Sequence, residues 1–114
     1  MEHRVEQHFE GRSPVVREIY AAVLNAAGKF GPVVEDPKKT SIHLNRRSAF
    51  AGIQTRREFL ILTVKAQVDP DSPRVTKREQ ASANRWHLEI KLYGPLEVDA
   101  EISEWLKASY LISG

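Results

Sequence analysis

Thr40-Ser41-Ile42-His43-Leu44-Asn45 alternates polar and apolar side chains, and a period of two marks a strand with one face buried. Everything around this stretch repeats the signal. Arg46-Arg47 follows as a turn, and Ala49 to Thr55 reads as a second strand. Arg56-Arg57-Glu58 makes a second turn, and Phe59 to Val68, rich in branched residues, a third strand. Asp69-Pro70-Asp71-Ser72-Pro73 is turn chemistry, so residues 69–83, the connection to the next strand, begin as a loop. Asn84 to Tyr93 is a fourth strand with Trp86, Leu88, Ile90 and Leu92 on one side, and Gly94-Pro95 ends it.

A helix flanks this block on each side. Ser13 suits an N-cap and Pro14 the first helical position, where a missing N–H costs nothing. Val15, Ile19, Val23 and Ala26 then recur at helical spacing, with Val16, Tyr20, Ala27 and Phe30 widening the stripe up to Gly31-Pro32. Residues 2–10 suggest a short preceding helical turn anchored by Phe9. At the other end Asp99 is a candidate N-cap, and Ile102, Trp105, Leu106 and Ser109 share one face. The order α-β-β-β-β-α predicts a single α+β domain over residues 1–114. Its expected form is a four-stranded antiparallel meander covered on one face by the N-terminal and the C-terminal helix.

The chain has 114 residues and no cysteine, which excludes disulfides, thiol nucleophiles and thiolate metal sites. No stretch approaches the roughly 20 apolar residues of a membrane helix, and the charged beginning does not resemble a signal peptide. A soluble cytoplasmic protein without membrane contact is therefore expected. The net charge is only +2, but it is unevenly distributed. Residues 1–37 carry 4 basic and 6 acidic groups, residues 38–91 carry 12 and 5, and residues 92–114 carry 1 and 4. The basic excess sits in the strand block, where it favours anionic partners.

In a meander, the first and third turns lie at one end of the sheet. Arg46, Arg47, Arg74, Lys77, Arg78 and Arg85 are thus expected to gather at that end, with Lys38, Lys39, Arg56 and Arg57 at the other. A ten-residue strand spans roughly 33 Å, so an extended polyanion could touch both ends and a compact phosphate could not. These cations are the candidate nucleic-acid contacts. The sheet face opposite the helices offers an alternative. His43 and His87 point there, and Ile61 joins them. Phe50 does so only if Phe50, Gly52 and Gln54 face outward, an alternation that the second strand leaves open. His43, Phe50, Ile61 and His87 would then line a small-molecule or enzymatic pocket. No phosphate-binding glycine loop is present and no histidine spacing marks a metal site, so no cofactor, metal or catalytic residue is assigned.

Several segments in order resemble one family. They are His8-Phe9-Glu10-Gly11 with Ser13-Pro14 and Val16-Arg17-Glu18-Ile19-Tyr20, then Lys38-Lys39-Thr40-Ser41-Ile42-His43-Leu44, Phe50-Ala51-Gly52, Trp86, and Trp105-Leu106-Lys107-Ala108-Ser109-Tyr110. Together they resemble an uncharacterised bacterial family, domain of unknown function 5655, from about residue 5 to 112. The resemblance implies a small α+β domain and no established activity. It is also compatible with nucleic-acid binding. A weaker likeness is to small α/β domains grouped with frataxin-like iron chaperones. The leading expectation is a binding module for nucleic acid or another polyanion. Next comes the pocket on the open sheet face, and then a protein-interaction module or homodimer.

Overall fold

The computed structural model describes residues 2–114. After a short 3-10 helix (Val5–Phe9), the elements are α1 (Pro14–Gly28), β1 (Val34–Pro37), β2 (Ile42–Asn45), β3 (Ala49–Thr55), β4 (Leu60–Ala66), β5 (Val75–Ser82), β6 (Arg85–Leu92) and α2 (Ala100–Leu111). The α+β class and both expected helices are present. The sheet, however, has six strands where the sequence predicts four, in the order β1-β2-β3-β4-β6-β5, with every neighbouring pair antiparallel.

The four expected strands form the middle of this sheet, and the two additional ones are its edges. β1 is four residues long and closes on Pro37, which an edge strand tolerates because nothing needs its N–H. β5 lies within the 69–83 connection, which is expected to begin as a loop and to which no strand is assigned. The chain leaves β4, crosses β6 to the outer edge and returns through the turn Ala83-Asn84, with Ser82 paired to Arg85. Only Val75 of β5 is buried, so the strand shows no alternation to read. Its register breaks twice, and it carries Lys77, Arg78 and Glu79, features that discourage pairing with a second chain.

The buried face follows from the register. Ile42 opposes Ile53, which opposes Leu62, which opposes Ile90; Leu44, Ala51, Val64 and Leu88 form the adjacent row. These side chains pack against Val16, Ile19, Tyr20 and Val23 of α1 and Ile102, Leu106 and Tyr110 of α2. Each fully buried branched or aromatic side chain contributes about 1.5–3 kcal/mol. Gly31, three residues beyond the end of α1, has φ 148, and a Cβ there would collide with the Tyr110 hydroxyl, which donates to the Pro32 carbonyl at 3.0 Å. Ser13 caps without a side-chain bond; its N–H donates to Arg57 O instead. Asp99 caps α2 as expected, accepting from Ile102 N at 3.1 Å.

Phe50 resolves the ambiguity of β3. The register shifts between Leu44 and Asn45, so Ala51 opposes Leu44 while Ala49 opposes Asn45, and Phe50 is the extra residue of a bulge. Its ring turns inward and meets Tyr110 edge-on at 5.1 Å. Phe50 is buried and does not project outward from the sheet.

Candidate functional site

The face of the sheet away from the helices is built by the complementary residues: Asp36, His43, Gly52, Gln54, Ile61, Thr63, Lys65, His87, Glu89 and Lys91. Its centre is a groove of about 280 Å³ over β2, β3, β4 and β6. The polar walls are Ser41, His43, Gln54, Thr63, Lys65 and His87, and no carboxylate lines it. Gly52 lies at its middle, directly opposite His43 on one side and Thr63 on the other. Lys65 opposes His87 one row along. Phe50 contributes to the lining although it is 1 % exposed, so it forms floor and not surface. Ile61 faces the same side between Gln54 and Lys91, its cross-strand partners, and is itself nearly covered.

Lys65 gives the groove its charge. Its ammonium lies 3.4 Å from Ser48 Oγ and forms no ion pair among the described residues. Partial burial and then the neighbouring Arg85 guanidinium hold its pKa below the ordinary lysine value. In the sequence Lys65 and Thr63 are marked only by the alternation of β4, which turns them away from the side of Leu62 and Val64. Gly52 carries a clearer signal, because glycine in a central strand is unfavourable and asks for a reason. At the other end of the face Phe59 stacks on Tyr93 at 5.1 Å, Lys91 lies 5.7 Å from the Phe59 ring, and Tyr93 is 56 % exposed.

The expected arginine and lysine contacts divide into two groups. Arg74 is engaged on the helix side, donating to Asp99 and Glu101 at 3.0 Å and to Glu97 O at 2.8 Å. Arg78 pairs with Asp69 and Lys38 with Asp36, both at 2.9 Å. Arg46 folds over the Tyr110 ring at 4.6 Å and donates to Tyr110 O, closing the end of α2. Arg56 donates to Thr55 O and Gln54 Oε1. Lys39, Arg47, Arg57, Lys77 and Arg85 have no carboxylate within ion-pair distance among the described residues.

Strand register also redistributes these cations. Val75 pairs with Ile90 near the Arg56–Arg57 end, so Arg74 does not join Arg46 and Arg47 as expected; Lys77 opposes Glu89 at mid-strand. Arg85 alone of the 69–91 cations stands at the Arg46–Arg47 end, beside Lys65. Each end of the sheet therefore carries cations without a carboxylate partner among the described residues: Arg47 and Arg85 with Lys65 at one, and Lys39 and Arg57 with Lys91 at the other.

Among the described residues no group of three or more histidine, aspartate or glutamate side chains is placed to hold a metal ion. None of the described helices is long and apolar enough to cross a membrane. No curated protein and no solved structure matches the chain, so the weaker likeness to frataxin-like domains gains no support. One family model does match, over residues 5–113 and hence almost all of the architecture described above. The chain belongs to that family, domain of unknown function 5655.

Proposed function

We propose that this domain binds nucleic acid on its open sheet face. The supporting observation is the groove across β2, β3, β4 and β6: Lys65 and two histidines line it, and no carboxylate does. Cations without a carboxylate partner among the described residues stand at both ends of the sheet, which suits a chain of phosphates better than a single anion. The exposed Tyr93 ring, stacked on Phe59 beside Lys91, offers a platform of the kind on which bases stack. Arg47, Lys65, Arg85, Lys91, Arg57 and Lys39 carry the phosphate contacts, with little reading of sequence. Arg74, Arg78, Lys38 and Arg46 serve the fold instead, because their guanidinium or ammonium groups already have partners.

Fluorescence anisotropy of a labelled oligonucleotide at several salt concentrations tests the reading. The logarithm of affinity should fall linearly with the logarithm of salt, each neutralised phosphate adding about 0.7 to 0.9 to the slope. Absence of saturable binding at low salt overturns it.

A further inference from the structure

Gly52 lacks the usual reasons for a glycine. Its φ is not in the left-handed region, and a Cβ built on it would meet only Thr63, at the ordinary contact distances of 3.6 and 4.0 Å. Neither backbone conformation nor crowding therefore requires it, although a glycine within a strand is a local weakness. What the missing side chain leaves is space, at the middle of the groove.

The walls of that space have a definite shape. His43 and Thr63 oppose Gly52 on its two neighbouring strands. Adjacent strands lie about 4.8 Å apart, so the two backbones are roughly 9–10 Å apart with nothing standing between their side chains. That is a slot for one flat ring, with the His43 strand position on one flank and the Cβ and hydroxyl of Thr63 on the other. Gln54 lies two residues along β3 and supplies an amide donor for a ring edge, together with the lone pair of Oε1 that its bond from Arg56 leaves over. Lys65, one row away, can meet a phosphate carried by the sugar to which such a ring is joined.

We infer that the Gly52 hollow seats a single unpaired base, which makes the ligand of the open face a single-stranded nucleic acid and not a duplex. A base within a duplex stack cannot enter such a slot without being flipped out. The inference rests on the nucleic-acid reading given above, which by itself fits either form.

The test uses the full chain and its Gly52→Val variant, each titrated with a single-stranded oligonucleotide of about 12 nucleotides, within the roughly 4–16 typical of such surfaces, and with the matching duplex. The native chain is expected to bind the single strand at least tenfold more tightly than the duplex. Gly52→Val is expected to lose most of that preference while keeping the weak duplex binding. Its thermal midpoint, measured in parallel, should equal or exceed that of the native chain, because valine suits a strand. Should the variant unfold, Gly52→Ala and the native strand preference still decide. Equal affinity for both forms, or an unaltered preference in a folded variant, overturns the base seat and leaves the polyanion reading standing. Failure to bind either form removes both.

Discussion

Ser109 Oγ on α2 donates to the Phe50 carbonyl at 2.5 Å and accepts the Lys65 N–H at 2.9 Å. One buried hydroxyl thus satisfies two strand groups beside the β3 bulge and fixes the helix to the sheet. Lys65 inherits its position from this contact, so the docking of α2 on one face sets the charge presented on the other. Ser109→Ala would leave both backbone groups without a partner in a dry environment. We predict a loss of about 2 kcal/mol in a urea unfolding experiment, within the range for buried groups left unpaired.

Asp99 joins helix capping to an ion pair. Its carboxylate accepts from Ile102 N and from Arg74, and these bonds, that from Ile102 first, hold its pKa below the usual aspartate value. The folded state therefore binds this proton less readily than the unfolded chain. The stabilisation is fully present above about pH 3.8, the unfolded value. It is lost as the pH falls through the lower folded value. Asp99→Ala should cost about 1 kcal/mol at neutral pH, the usual worth of an N-cap, and should flatten the acid limb of the stability curve.

Lys65 has the opposite linkage. Its folded pKa lies below 10.5, so the unfolded chain binds the proton more tightly and stability rises as the pH climbs through the folded value toward 10.5. Tyr20 works against this at higher pH. Burial and its 2.7 Å bond to Glu35 raise the phenol pKa, so stability falls once the unfolded tyrosine ionises above about 10. Subtracting the unfolding profile of Lys65→Met from that of the native chain isolates the lysine. The difference should show the methionine variant relatively more stable at neutral pH, converging as the pH rises. The same variant should bind oligonucleotide more weakly, with a salt slope lower by about 0.7 to 0.9.

Arg74 and Arg85 look alike in the sequence and play different parts in the fold. Arg74→Ala should lower the unfolding midpoint, because it breaks the contacts to Asp99, Glu101 and Glu97, and should leave oligonucleotide affinity unchanged. Arg85→Ala should do the reverse, reducing affinity several-fold with little effect on stability. Equal loss of affinity in both variants would show that the helix side also binds.

Periodicity made the centre of this fold legible. Ile42 and Leu44, Leu60 to Val64 and Leu88 to Leu92 face where their alternation places them, because each belongs to a strand with one face in the core. The edges were not legible. β5 buries only Val75, so no pattern separates it from a loop once Asp69-Pro70-Asp71-Ser72-Pro73 has announced a turn. β1 is short and ends in proline. Phe50 was ambiguous for another reason: a bulge puts two successive residues, Phe50 and Ala51, on the same side, which no strict alternation allows. The basic excess of the strand block was plain in the sequence. Its division into engaged and free cations was not, since the carboxylates that engage Arg74 come from the start of α2, some 25 residues away.

The position of bound nucleic acid on the protein bears on the account more directly than affinity alone. Amide chemical shifts recorded during titration with a single-stranded oligonucleotide should move most at Gly52, Thr63, Lys65, Arg85 and His87, and the exposed flank of α1 should stay still. Shifts confined to α1 and α2, with the strand amides of the groove unmoved, would contradict binding on the open face.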